Sequence, residues 1–281
     1  MQGKKSLLSK ENSDLASPKP FLRWAGGKTW LLKHVEEFLI DLKIKNYHEP
    51  FLGSGAIYFH FESTPKAYLS DLNGELIETY LAIQQEVEKV ISELKKFKNT
   101  EREYYKIRST QFRSDYKKAA RFIYLNQTSF NGIYRVNLKG EYNVPYGFRK
   151  KNFLEPENLR LASATLKNAK IYNRDFDFVK KNVKKGDLVF LDPPYTVTHN
   201  NNGFIKYNQK LFSIDDQYRL SNLIDFIDSI GAFYVLTNAA HSKIEKIFEK
   251  GHKKIHYKRA SLIGGTNAKR GFFSEVLFSN I

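Results

Sequence analysis

The stretch that decides the fold reads Asp187-Leu188-Val189-Phe190-Leu191-Asp192-Pro193-Pro194-Tyr195. Its apolar run predicts a buried strand that ends directly at a carboxylate, two prolines and an aromatic ring. The prolines fix φ and donate no hydrogen bond, so the turn is stiff and its carbonyl oxygens remain as acceptors. Because open α/β sheets bind ligands at the carboxyl ends of their strands, the turn predicts a site for a planar group that carries an N–H. The alternative is a strand that simply stops at a Pro-Pro turn.

Composition limits the class of protein. The 281 residues contain 46 Lys and Arg against 30 Asp and Glu, a formal net charge of +16, and 41% are hydrophobic. This allows one large α/β domain with an insert, or two modest domains. The charge favours a polyanionic partner, nucleic acid before membrane, with ordinary solvated surface as the alternative. No apolar stretch is long enough to span a bilayer, and residues 1–19 are expected to form a flexible tail.

The chain has no cysteine. This excludes disulfides, thiolate-ligated zinc and a cysteine nucleophile, and with the nucleophile the covalent route to methylation of carbon five of cytosine. Of the seven histidines, His252 and His256 are four apart, but the segment around them alternates like a strand. No metal site is expected.

Two regions in which predicted strands and helices alternate flank a long interval that lacks this alternation. They predict an α/β fold with a Rossmann-like, mostly parallel sheet and helices on both faces. Residues 76–156 instead predict successive helices and a short β-hairpin that turns at 138–141, which indicates an inserted domain. The predicted division is the tail, a main domain of 20–75 and 157–281, and the insert 76–156. Predicted strands lie at 47–49, 66–70, 170–173, 187–191, 232–237 and 272–279, and predicted helices at 29–38, 56–61, 76–84, 86–97, 101–112, 114–126, 215–229 and 241–249.

A glycine turn, Phe51-Leu52-Gly53-Ser54-Gly55, follows the first predicted strand. Glycines there allow the backbone to approach a ligand closely, and the next helix offers free N–H groups. Asp71 ends the following strand, where a carboxylate can bind both hydroxyls of a ribose; a helix N-cap is its alternative role. The turn lacks the G-x-G-x-x-G spacing typical of pyrophosphate binding, which favours S-adenosylmethionine over a nicotinamide dinucleotide.

The segment before that strand, Phe21–Lys28, contains two further candidate residues for the donor. Lys28 precedes a predicted helix and could meet the donor's carboxylate, while Trp24 could pack on its aliphatic part. The alternative is a buried tryptophan and a solvated lysine.

These motifs resemble the Dam-type family (D12 class, alpha group) of DNA adenine methyltransferases. The resemblance covers nearly the whole chain after the tail, and the motifs stand in the family's order of donor site, recognition insert and Asp-Pro-Pro-Tyr. The sequence differs from some members at Gln127, where they carry a basic residue, and at Phe130, where a tyrosine is also found. The motifs are Phe21–Lys28, Glu49–Gly55, Asp71, Tyr124–Asn126, Phe130–Asn137, Asn143–Gly147 and Asp192–Tyr195.

The resemblance implies a role for each matching residue. Asp192 and the Pro193 carbonyl would accept hydrogen bonds from the target amino group, and Tyr195 would stack on the flipped base, with Pro194 completing the catalytic motif. The implied donor contacts are Trp24, Lys28, Phe51, Gly53, Ser54, Asp71, Asp175, Phe176 and Asp192. The implied DNA contacts are Phe130 and Asn131, which would enter the duplex, Arg135, which would read a guanine, and Ile133 and Asn137.

The chemistry of these residues suits an exocyclic adenine nitrogen. Two acceptors would hold its hydrogens out of the ring plane and favour an sp³-like transition state, with no thiolate needed. The base must leave the stack to reach such a pocket, and an aromatic side chain can replace its lost stacking. Nearby basic residues would meet phosphates, as would a predicted flexible loop at 258–270. These residues are Lys117, Lys118, Arg121, Lys139, Arg149, Lys150 and Lys151.

The predicted function is therefore site-specific methylation of adenine in double-stranded DNA, with GATC as the expected target. S-adenosylmethionine is the expected methyl donor. The alternatives are methylation of another planar amine or amide, in RNA or a protein glutamine, a non-catalytic DNA-binding module, and, last, a nicotinamide oxidoreductase. We expect a cytoplasmic, DNA-associated monomer of bacterial or phage origin, with dimerisation on DNA left open and no membrane partner.

Overall fold

The computed structural model describes residues 17–39, 42–61, 66–195, 212–260 and 272–281. Most of the predicted tail, and the predicted basic loop beyond Ala260, lie outside these ranges. Within them, seven strands form one sheet in the order β3-β2-β1-β4-β5-β7-β6. The strands are β1 Tyr47–Glu49, β2 Ala67–Asp71, β3 Ala169–Asn173, β4 Leu188–Leu191, β5 Phe233–Ala239, β6 Lys253–Ala260 and β7 Phe272–Ser279.

The centre of the sheet is parallel. Strand β1 pairs in parallel with β2 and with β4, and β4 pairs in parallel with β5. Strand β7 pairs antiparallel with both β5 and β6. All four residues of β4 are buried, which is typical of a parallel strand covered on both faces. The predicted α/β fold with a mostly parallel sheet is confirmed.

The helices and the hairpin differ from the predicted pattern in three places. The two helices predicted at 76–84 and 86–97 form one helix whose backbone leaves helical geometry only at Glu86. The predicted hairpin contains a single bridge, between Val136 and Tyr142. Sequence reasoning missed a helix that begins at Pro156, a residue favoured in the first turn. The helices are α1 Leu32–Leu39, α2 Ala56–His60, α3 Gly74–Leu94, α4 Glu101–Ser109, α5 Asp115–Thr128, α6 Pro156–Leu166, α7 Ile214–Ser229 and α8 Ser242–Ile247, with 3₁₀ turns at Thr29–Leu31, Phe130–Gly132 and Phe176–Lys181.

The described residues divide into two compact units. The first comprises 17–39, 42–43, 52–61 and 71–173, and α3 packs in it against α5 and α6. The second comprises 44–51, 66–70, 174–195, 212–260 and 272–281. Its core packs one face of β4, β5 and β7 against α7 and α8, with Leu191, Leu236 and Phe278 fully buried. The recognition role of 76–156 stays a prediction.

Candidate active site

The sheet reverses its direction of growth between β1 and β4, because β2 lies on one side of β1 while β4 and β5 lie on the other. Tyr47 pairs with Leu188 and His48 with Val189, so the two strands end at neighbouring places on the same edge. The chain leaves β1 into Phe51 and leaves β4 into Asp192. Ligands of open α/β sheets bind at such a switch point, outside the carboxyl ends of the strands.

Asp192 is fixed by the neighbouring strand. Because Leu191 pairs with Leu236, Asp192 lies beside Thr237, and the Thr237 hydroxyl donates to Asp192 Oδ1 at 2.7 Å. This bond orients the carboxylate at the carboxyl end of β4. Pro193 behind it is buried.

Tyr195, at the other end of the motif, is also held through its polar atom. Its hydroxyl donates to Glu275 Oε2 at 2.7 Å, and Glu275 is only 2% exposed. Sequence reasoning missed both Thr237 and Glu275. The motif Asp192–Tyr195 is therefore bonded at its first and last residues, with two prolines between them.

In the first unit, the glycine turn meets the ring of Trp24. Gly53 has φ +49°, and a Cβ there would lie 2.8 Å from Trp24 Cδ1, closer than carbon atoms pack. Trp24 in turn stacks on Tyr134, with ring centroids 5.8 Å apart. Only glycine fits both the backbone and the space at position 53, so the structure places Trp24 directly against the predicted donor loop.

Asp71 lies at the end of β2 with both carboxylate oxygens oriented. Oδ2 accepts from the Gly53 N–H at 3.1 Å, and Oδ1 accepts from the Asn73 N–H at 2.9 Å. Burial raises the pKa of Asp71, and backbone N–H bonds oppose that rise. The N-cap of α3 is Asn73, whose side chain accepts from Leu76 N, so Asp71 does not serve as the cap. Backbone N–H groups thus fix the orientation of both carboxylate oxygens, and the role toward a ribose stays a prediction.

Lys28 is not a solvated surface lysine. The residue is only 3% exposed, and Nζ donates to the Gly26 carbonyl at 2.9 Å. The alternative of a solvated lysine is therefore wrong, and the role of Lys28 toward the donor's carboxylate stays a prediction. Ser54 on the glycine turn is likewise buried.

Three phenylalanines cluster in the second unit. Phe51 stacks on Phe176 with centroids 5.4 Å apart, and Phe212 contacts both rings. The guanidinium of Arg219 lies over the Phe176 ring, 4.6 Å from its centroid, and donates to Asp175 Oδ1 at 2.7 Å. The predicted residues Phe51, Asp175 and Phe176 are thus brought together, with Phe212 and Arg219 as partners that the sequence did not reveal.

The predicted duplex-entering residues stand on a strained, braced turn. Phe130 is 48% exposed, and Asn131 is exposed with φ +54°. Phe130 N–H donates to the Pro145 carbonyl, and a Cβ on Gly147 would overlap the Ser129 carbonyl. Strained residues of this kind cluster at ligand clamps, which agrees with the predicted role.

Arg135 and Asn137 both lie on the hairpin, but their side chains have different hydrogen-bond partners. Arg135 is exposed, and Asn143 fixes it by accepting from Nε at 2.8 Å. The Asn137 side chain closes the turn instead, since Oδ1 accepts from the N–H groups of Lys139 and Glu141. Ile133 is partly buried beside this turn. The geometry therefore favours Arg135 for base contact and gives Asn137 a role in shaping the hairpin.

One predicted phosphate contact is wrong. Arg121 is only 11% exposed, because it donates to the Ile107 and Arg108 carbonyls and lies 3.8 Å from Glu75.

Asn126 has a structural role that its motif did not reveal. Its buried amide accepts from Arg23 N and donates to the Arg23 carbonyl, both at 2.7 Å, which ties the N-terminal segment to α5.

Residues 24–261 match the model of the D12 class N6 adenine-specific DNA methyltransferases. The chain belongs to this family. It is 37% identical to the type II methyltransferase M.MjaIII of Methanocaldococcus jannaschii, over 93% of this chain and 99% of that one. It is 33% identical to M1.LlaDCHI of Lactococcus lactis subsp. cremoris, over 98% and 99%. It is 30% identical to the retron Ec67 DNA adenine methylase of Escherichia coli, over 88% and 87%.

Family membership confirms the predicted enzyme class, a site-specific DNA methyltransferase that acts on adenine. Within the described ranges, no helix is long and apolar enough to cross a membrane. Nor do three or more His, Asp or Glu side chains of the described residues gather into a group that could hold a metal ion.

Proposed function

We propose that the enzyme transfers a methyl group from S-adenosylmethionine to the exocyclic amino group of an adenine flipped out of double-stranded DNA. The recognition sequence that we propose is GATC, because Phe130–Asn137 resembles the members that act there. Residues 76–156 would form the target-recognition domain and 20–75 with 157–281 the catalytic domain. The observation that supports this proposal most directly is the hydrogen bond by which Thr237 orients Asp192, at the switch point between β1 and β4.

The donor-site residues fit an adenosyl ligand without a pyrophosphate. Asp71 offers oriented oxygens for a ribose, Trp24 and the Gly53 cradle offer a flat apolar wall, and the buried Lys28 offers a cation for a carboxylate. Phe51 and Phe176 offer rings that suit an adenine. When bound, S-adenosylmethionine supplies a sulfonium-linked methyl group that an amine can accept directly.

The residues after β4 would bind and orient the target adenine. Asp192 and the Pro193 carbonyl accept the two amino hydrogens, which draws the nitrogen lone pair out of the ring and favours the transition state. Tyr195 stacks on the flipped adenine and replaces its lost neighbours. The amino nitrogen would bond to the methyl carbon as the carbon–sulfur bond breaks, the donor would leave as its neutral thioether, and the nitrogen would release one proton to Asp192 or to water. Positioning, rather than this proton transfer, would account for most of the acceleration.

The test is transfer of a labelled methyl group to an unmethylated GATC duplex, with duplexes altered at one base pair for comparison. Asp192→Ala should abolish transfer, while Asp215→Ala, at an exposed aspartate in the first turn of α7, should leave it unchanged. Full activity of Asp192→Ala would overturn the proposed role. Methylation of another sequence, mapped in DNA from expressing cells, would overturn GATC alone.

A further inference from the structure

We propose that Glu275 is a positioning residue, which fixes the orientation of the Tyr195 ring against which the flipped base would stack. This rests on the proposed stacking role of Tyr195. The observation that carries it is the hydrogen bond from the Tyr195 hydroxyl to Glu275 Oε2, 2.7 Å long and formed at a carboxylate that is 2% exposed.

Glu275 stands where the sheet otherwise demands apolar side chains. Strand β7 pairs on both sides, with Ala239 of β5 and Tyr257 of β6 opposite Glu275. Val276, Leu277 and Phe278 after it are all buried and apolar. A carboxylate here costs desolvation that an apolar residue would not, and such local conflicts are expected at functional sites.

Glu275 and Thr237 face the same side of the sheet. Tyr234, Leu236, Val276 and Phe278 all point into the core of the second unit. Because side chains alternate along a strand, Thr237 and Glu275 point to the opposite face. The pairing of Thr237 with Leu277 places them one step apart, so this face holds the Asp-Pro-Pro-Tyr motif at both ends.

The physical consequence is preorganisation of the ring. The two prolines restrict the backbone before Tyr195, but they leave its side chain free to rotate about χ1 and χ2. A bond from the hydroxyl to a buried carboxylate restricts both torsions and engages only the hydroxyl at the edge of the ring. Without that bond, only a fraction of the enzyme molecules would hold the Tyr195 ring in the orientation on which a flipped base can stack.

A double-mutant cycle tests the proposal. Glu275→Leu and Tyr195→Phe should each lower kcat roughly ten- to a hundredfold, the factor for one hydrogen bond to a charged group, with donor affinity unchanged. The rate loss of the double variant should be well below the product of the two single losses, because both changes remove the same bond. Glu275→Gln should recover most of the rate, since its amide oxygen can accept from the hydroxyl. Glu249→Leu, at an exposed glutamate, is the matched control.

A duplex with 2-aminopurine at the target position reports stacking separately from turnover. Emission from the complex should rise in Glu275→Leu and Tyr195→Phe, since a flipped base that does not stack is less quenched. Rate losses that multiply in the double variant would overturn the proposal. Full activity of Tyr195→Phe would overturn it even if Glu275→Leu failed to fold. If Tyr195→Ala leaves both rate and emission unchanged, the stacking role itself fails, and the proposed function must be revised at that residue.

Discussion

Replacing Gly53 by alanine tests the donor site through a clash that the structure defines. Alanine at φ +49° costs about 1 kcal/mol in backbone energy. Its Cβ would lie 2.8 Å from Trp24 Cδ1 and 3.1 Å from Nε1. The indole must move by about 0.7 Å to restore ordinary contact, and such overpacking costs a further 1–3 kcal/mol or so. Because Trp24 also stacks on Tyr134, its displacement should disturb the wall of the proposed donor site.

Gly251→Ala is the matched control. Gly251 has φ +75°, and a Cβ there would have nothing within 4 Å, so this variant has the backbone penalty without the clash. We expect the free energy of unfolding in urea to fall by about 1 kcal/mol in Gly251→Ala and by about 2–4 kcal/mol in Gly53→Ala.

Affinity for S-adenosylmethionine, measured by titration calorimetry, should fall roughly 10- to 100-fold in Gly53→Ala alone, equivalent to about 1.4–2.7 kcal/mol. The protein has two tryptophans, so a Trp30→Phe background isolates the emission of Trp24 and should show its displacement directly. Equal donor affinities in Gly53→Ala and Gly251→Ala would refute the reasoning, because they would separate Trp24 from the donor site.

Three further outcomes follow from buried or exposed polar groups. Burial raises the pKa of Asp187, but hydrogen bonds, with His48 first among them, outweigh it and hold the pKa below its ordinary value. The resulting stability is present above the unfolded-state pKa near 4 and is lost as pH falls below it, so Asp187→Asn should flatten the unfolding free energy between about pH 5 and pH 3; an unchanged slope would contradict this. Asn126→Ala should lower the unfolding free energy by about 2–3 kcal/mol, measured by urea titration, because backbone groups of the N-terminal segment lose buried partners. Arg135→Ala should cost about 1–3 kcal/mol of DNA discrimination at one base pair, whereas Lys139→Ala should weaken all duplexes alike and reduce the salt slope by about one; binding titrations against single-pair variants distinguish the two.

Much of the architecture could be predicted because its signals are local. The apolar run before Asp192 and the glycine turn after β1 each combine a strand pattern with residues that end a strand. The missed helix at Pro156–Leu166 has such a signal too, a proline at its start and buried leucines at helical spacing. The break expected near Glu86 became a local distortion of one helix, because the packing of α3 against α5 maintains the helix through a residue that leaves helical geometry.

The candidate site divides in the same way. The candidate residues Asp71, Asp192 and Tyr195 could be found from motifs, since Asp71 and Asp192 directly follow predicted strands and Tyr195 ends the motif that begins at Asp192. Their partners could not. Thr237 lies 45 residues from Asp192, and Glu275 lies 80 residues from Tyr195. In sequence, Thr237 resembles an ordinary strand threonine.

The sequence by itself determined the class of fold, the enzyme family and the candidate carboxylate Asp192, because strand patterns and short motifs consist of residues that are neighbours in the chain. Only the tertiary structure decided how those residues are held. The strand order brings β5 beside β4 and places β7 next to β5, and hydrogen bonds to Asp192 and Tyr195 follow from that order. Periodicity specifies which side chains are buried, but pairing between distant strands depends on packing of the whole sheet, which no local pattern encodes.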